Sequence, residues 1–159
     1  MPLIDAAPEK WRGDALRVAD ALRGLDRVLI AAHVNLDGDA LGSMAAAGYL
    51  LAAMGRRFAL YSPTGLPGTL AFLPLPGRLH TSLAHLPFTP ESALFLDCDE
   101  ADRLGAELAR HADSVPSINI DHHLGGPGMG SIANWVDPEA AATAELMSCV
   151  ALALEQPLT

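Results

Sequence analysis

Three short apolar runs, each stopping abruptly at ionisable residues, constrain this chain more than any other feature. Val28-Leu29-Ile30-Ala31-Ala32 ends at His33, with Asp37 and Asp39 just beyond it. Ala93-Leu94-Phe95-Leu96 ends at Asp97, followed by Asp99, and Ser117-Ile118-Asn119-Ile120 ends at Asp121-His122-His123. Runs this short, bounded by polar turns, read as strands buried on both faces, the pattern of a parallel sheet covered by helices. In an open parallel sheet the carboxyl ends of the strands border one ligand crevice, so three such ends bring their imidazoles and carboxylates to one place.

The segments between the runs carry helical periodicity. Pro8 to Leu25 places Trp11, Ala15, Val18, Leu22 and Leu25 at three- and four-residue steps. Ala40 to Met54 is rich in Ala and Leu and stops at Gly55, a good C-terminal stop. Asp102 to His111 and Glu139 to Leu154 read as further helices, Arg57 to Tyr61 as another strand, and Ile132 to Val136 as an edge strand. Ser62 to Pro90, rich in Pro and Gly, reads as a loop with one or two helical turns. Alternating strands and helices predict right-handed βαβ units and an α/β fold of three layers, αβα, around a mostly parallel sheet.

Composition narrows the class. With 159 residues, 50% hydrophobic and 18% charged, the chain makes one domain with its own core. Ten basic against 19 acidic residues, a net charge of −9, argue against a module that grips long duplex nucleic acid, which needs Lys and Arg to displace counterions. Cys98 and Cys149 sit in apolar segments, so a reducing compartment fits better than a disulfide framework. The first residues, with Asp5 and Glu9, lack the basic flank of a signal peptide, and charges or prolines interrupt every candidate membrane span. The reading is a cytoplasmic protein with no membrane partner.

Carboxylates packed together repel unless cations neutralise them, and oxygen and nitrogen donors without thiolate favour Mn²⁺ or a similar divalent ion. Blander roles compete at single positions. Asp39 is also a fitting cap for a helix near Ala40, and Asn35 to Gly38 an ordinary Asx turn. Asp99 and Asp102 read as capping or solvated, His80, His85 and His111 as surface residues, and Cys98 as a small buried hydrophobe. Gly126 to Gly130 lacks the Lys-Ser/Thr ending of a P-loop and reads as a flexible loop.

Taken together, the motifs resemble the DHH phosphoesterase superfamily. Asp121-His122-His123 matches the naming triplet, His33 to Ser43 with Asp37-Gly38-Asp39-Ala40 the first motif, and Asp97 with Arg103 the second. Asn134-Trp135-Val136-Asp137-Pro138 and Ala141 to Glu145 resemble the nanoRNase and pAp-phosphatase branch. The resemblance implies a manganese-dependent enzyme that hydrolyses short oligoribonucleotides or 3′-phosphoadenosine 5′-phosphate with two metal ions, Mg²⁺ or Co²⁺ being alternatives. It implies that His33 and Asp37 hold one ion, that Asp39 and His122 hold the second, and that Asp97 bridges both. Asp121 would orient a histidine and His123 would face the substrate phosphate, while Ser43 and Arg103 are weaker candidates for phosphate contact, with a purely structural role as the alternative for either.

Two departures accompany the match. The family's fourth metal-binding Asp is not found after Asp137, and no C-terminal substrate domain follows before Thr159, so residues 1–159 are expected to be a catalytic domain truncated ahead of those parts. Competing readings are a cyclic di-adenylate phosphodiesterase, a RecJ-like exonuclease, or a metal- or nucleotide-binding module without catalysis. Short RNA or nucleotides are the expected partners, and homo-oligomerisation is left open.

Overall fold

Continuous apolar runs need cover on both sides, and the architecture supplies it. The computed structural model describes residues 1–157; Leu158 and Thr159, the end of the tail expected after the last helix, lie outside the described residues. Six strands form one sheet: β1 (Val28–Ala31), β2 (Phe58–Tyr61), β3 (Leu79–His80), β4 (Ser92–Leu96), β5 (Ser117–Asp121) and β6 (Ala133–Val136). Their order is β3-β2-β1-β4-β5-β6 and every pairing is parallel. The chain steps outward from β1 to β3, then returns to the other side of β1 and steps outward again. The reversal falls between β1 and β4, so the carboxyl ends of these two neighbours flank a topological switch point.

Side-chain alternation along each strand divides the core in two. Val28 and Ile30 of β1, Leu94 and Leu96 of β4, and Ile118 and Ile120 of β5 point to one face. There they meet α1 (Glu9–Arg23), α2 (Gly38–Ala53) and α4 (Thr143–Ala153) through residues such as Trp11, Leu22, Leu41, Met44, Leu146 and Val150. Leu29, Ala31, Tyr61, Ala93 and Phe95 face the other way and pack with Cys98, Leu104, Leu108 and Ala112. Each fully buried Leu or Ile on either face contributes roughly 1.5–3 kcal/mol. The α/β expectation of helices on both sides of a parallel sheet holds, with the second layer much the thinner.

The structure revises four local expectations. The helix expected from Asp102 to His111 is broken into a 3₁₀ turn, Ala101–Leu104, and a single-turn α3, Ala106–Ala109. Gly105 sits between them at φ 93°, and a Cβ there would lie 2.7 Å from Pro63 Cγ. Only glycine accepts both the backbone angle and the close approach. The last helix begins at Thr143 rather than Glu139, because Asp137 Oδ1 takes the N–H of Glu139 and closes a turn first. Asp37, not Asp39, caps α2, its Oδ1 accepting from the Ala40 N–H at 2.8 Å. In the Ser62 to Pro90 loop, two 3₁₀ turns appear as expected, but Leu79–His80 also pairs with β2 as an edge strand, too short for periodicity to reveal.

No helix among the described residues is long and apolar enough to cross a membrane. Leu94→Ala, which empties a fully buried position of the central strand, should lower unfolding free energy by about 2–5 kcal/mol in chemical denaturation. Leu16→Ala, on the exposed side of α1, should stay within about 0.5 kcal/mol of the parent.

Candidate metal centre

The site grows out of the switch point. His33 follows β1 and Asp97 follows β4, so adjacent strand ends set their side chains face to face: His33 Nε2 lies 3.4 Å from Asp97 Oδ2. Asp97 is 1% exposed and has φ 54°, a left-handed backbone that non-glycine residues rarely adopt. β5 delivers Asp121, and the chain then turns to present His122 and His123. Asp37 and Asp39 come from the start of α2, which begins directly after the His33 turn.

Distances divide these groups into two sets sharing Asp97. In the first, His33 Nε2 is 3.4 Å from both Asp37 Oδ2 and Asp97 Oδ2. In the second, His122 Nε2 is 3.4 Å from Asp97 Oδ1 and 3.3 Å from Asp39 Oδ2, and His123 Nδ1 is 3.8 Å from Asp97 Oδ1. Asp97 therefore turns one carboxylate oxygen to each imidazole group. Donor atoms of His33, Asp37 and Asp97, and of Asp97, His122 and His123, all lie within 4.8 Å of one another, so each set could hold a metal ion.

The imidazoles are oriented for that task. His33 Nδ1 lies 2.8 Å from the carbonyl of Val34, and His122 Nδ1 lies 3.3 Å from that of Ala140. Each Nδ1–H is thereby used on the backbone, which leaves Nε2 turned to the carboxylates, the arrangement that metal-ligating histidines require. His123 is turned the other way, its Nδ1 2.6 Å from Asp121 Oδ1, which also accepts from the His122 N–H at 2.8 Å. Asp121 Oδ2 is buried without any donor. A cluster of nitrogen and oxygen donors with buried negative charge fits a divalent cation.

Without a cation the proton takes its place. A hydrogen bond donated to Asp97, partly opposed by burial, raises the His33 pKa from 6.5 to about 9. For Asp97, burial acts to raise the pKa, but hydrogen bonds from His33 and Thr143 outweigh it and hold the carboxyl below its ordinary value.

Two supporting residues escape a reading of the sequence. Thr143, fully buried, donates its Oγ1–H to Asp97 Oδ1 at 3.0 Å, while the backbone N–H groups of Thr143 and Ala144 donate to Asp39 at 3.0 and 2.9 Å. The N-cap residue of α4, Ala142, has no side-chain acceptor to offer, and Asp39 supplies it from about a hundred residues away. Asn119, also fully buried, donates through Nδ2 to the carbonyls of Phe95 and Cys98 and accepts from the Met129 N–H. It ties the turn carrying Asp97 to the glycine-rich loop. Its only signal was a polar residue inside an apolar strand; Thr143 had none beyond the family-like stretch in which it stands.

Other candidates stand at the margin. Arg103 pairs with Asp99 at 2.7 Å, holding that carboxyl below its usual range, and its carbonyl accepts from the Val34 N–H behind the His33 turn. Ser43 is fully buried and its Oγ reaches Asp39 at 3.4 Å. Cys98 is buried, with its thiol pushed up to about 12 by desolvation. The glycine-rich loop is clasped by Asn134, whose side chain pairs with both the N–H and the carbonyl of Gly130.

The chain belongs to the DHH family: residues 27–157 match the N-terminal domain of that family. Over 145 residues it is 34% identical to the bifunctional oligoribonuclease and PAP phosphatase NrnA of Thermus thermophilus, an alignment covering 89% of this chain and 42% of that protein. The crystal structure of an exopolyphosphatase-related protein from Bacteroides fragilis matches with a TM-score of 0.75 at 23% identity, over 89% of this chain and 44% of the other, and shows the shared fold. The chain spans less than half the length of either protein.

The raised pKa of His33 sets a pH dependence. Its pairing with Asp97 stabilises the metal-free fold fully below pH 6.5 and loses that contribution as pH rises through about 9. Denaturation in EDTA should therefore show stability falling across that window, and His33→Gln should flatten the fall. Thr143→Val, which keeps the shape but removes the bond to Asp97, should weaken divalent-ion affinity by about 10- to 100-fold in calorimetric titration.

Proposed function

We propose that this domain is the metal-binding catalytic part of a manganese-dependent phosphoesterase acting on short oligoribonucleotides and on 3′-phosphoadenosine 5′-phosphate. The single observation carrying the reading is Asp97, a buried carboxylate with one oxygen facing His33 and the other facing His122. A shared carboxylate between two imidazole groups is the geometry of a paired-ion site, and the Thermus relative is described as an oligoribonuclease and PAP phosphatase. A divalent pair bound there supplies Lewis acidity, lowering the pKa of water and neutralising charge that builds on phosphorus.

The chain's own residues supply position and charge. His33 and Asp37 would hold one ion and Asp39 with His122 the other, with Asp97 between the two sets. Asp121 holds the ring of His123 through Nδ1, which would leave Nε2 free for a substrate phosphoryl group. Arg103, 41% exposed at the side chain and anchored by Asp99, adds a positive rim. The two unpaired, buried cysteines accord with a cytoplasmic location.

The test is hydrolysis of a diribonucleotide, of 3′-phosphoadenosine 5′-phosphate and of a cyclic di-adenylate by the full-length protein with Mn²⁺. The first two substrates should be cleaved, and Asp97→Ala should cost at least about 100-fold in kcat/KM. Wild-type activity in folded Asp97→Ala protein, or turnover of the cyclic dinucleotide alone, would overturn the assignment.

A further inference from the structure

Three of the ten basic residues of this acidic chain gather at the end of the sheet opposite the metal centre. Arg27, Arg56 and Arg57 precede β1 and β2, and with Phe58, Pro87 and Phe88 they line an open cavity of about 530 Å³. Six residue steps of extended chain separate Arg27 from His33, placing this cavity about 20 Å from the carboxylates.

Arg57 is already satisfied. Its guanidinium is clamped on both carboxylate oxygens of Asp26. Arg27 and Arg56 are not. The carboxylate facing Arg27, that of Glu91, is 3.6 Å away, beyond hydrogen-bond range. Arg56 gives one Nη–H to the carbonyl of Arg23 at 2.7 Å and has no carboxylate within 4.0 Å among the described residues. In both, the Nε–H is buried without an acceptor. Arg27 also holds a left-handed backbone, φ 47°, that arginine rarely adopts. Two guanidinium groups lining one cavity, neither hydrogen-bonded to a carboxylate, leave Nη–H donors that an oxyanion could accept from.

The cavity is far larger than a free phosphate requires and lies in the range of small-molecule sites. Its remaining wall is apolar, and Phe88 offers a ring against which a planar group can stack. We propose that this cavity binds a nucleoside monophosphate, with the phosphate on Arg27 and Arg56 and the base against Phe88. The site is distinct from the metal centre and does not depend on the phosphoesterase reading.

AMP titrated into the ¹⁵N-labelled chain in EDTA tests it, because the metal-free centre, lined by Asp37, Asp39, Asp97 and Asp121, repels anions. The expected result is saturable movement of the Arg57, Phe58 and Phe88 amides, absent with adenosine. Arg27→Gln/Arg56→Gln should weaken binding by about tenfold or more. Phe88→Ala, which leaves both guanidinium groups in place, should weaken AMP more than inorganic phosphate and decides the matter if the double variant does not fold. Shifts confined to His33, Asp97 and His123, no shifts at all, equal binding of adenosine, or unchanged AMP affinity in both variants would overturn the proposal.

Discussion

Negative charge crowded at the switch point between β1 and β4 is the constraint on which the rest of this structure depends. Asp97 is almost fully buried, and Asp37, Asp39 and Asp121 surround it. Such a cluster persists only if something positive shares it. In the metal-free state His33 does so by holding its proton well above the ordinary range, and under the proposed function a divalent ion would compete for the same lone pair. The backbone carbonyls that take the Nδ1–H of His33 and His122 make this exchange possible, because they keep both rings aimed inward whichever cation is present.

That charge also organises the scaffold. Asp39 caps α4 and Asp97 accepts the hydroxyl of Thr143, so the helix that closes one face of the core starts at the centre itself. A carboxylate oxygen has lone pairs enough for an N–H and a cation together, so capping and metal binding are compatible demands. Core and site are therefore not separable here: the packing of Leu146, Met147 and Val150 depends on where the first turn of α4 is anchored. On the opposite side of the sheet, Asn119 does the equivalent for the turn after β4, linking Phe95, Cys98 and Met129 through one buried amide.

Much of the site was legible in the chain because strand ends in a parallel sheet are a local signal with a global consequence. His33, Asp97 and Asp121 were each the first ionisable residue after an apolar run, and the structure brings all three together with Asp37, Asp39, His122 and His123. Arg103, with Ser43 a weaker candidate for phosphate contact, stands beside the site in an ion pair with Asp99. The capping role assigned to Asp39 was right in kind and wrong in place, since local spacing pointed to α2 and the carboxylate serves α4. The helix after β4 was overestimated because periodicity from Asp102 to His111 says nothing of Pro63, whose ring forces the chain through Gly105.

The sequence by itself determined five of the six strands, the two-sided burial of β1, β4 and β5 and the residue types at their ends, because these follow from short-range periodicity and from the cost of burying charge. The DHH triplet and its companion motifs carried the family, which the match over residues 27–157 establishes. Tertiary structure alone decided which carboxylate oxygen faces which imidazole, that Thr143 holds Asp97, and that Asp39 caps a helix far along the chain. It also decided that Arg27 and Arg56 share one cavity at the opposite end of the sheet. Those relations join residues separated by tens of positions, and only the order β3-β2-β1-β4-β5-β6 brings them together.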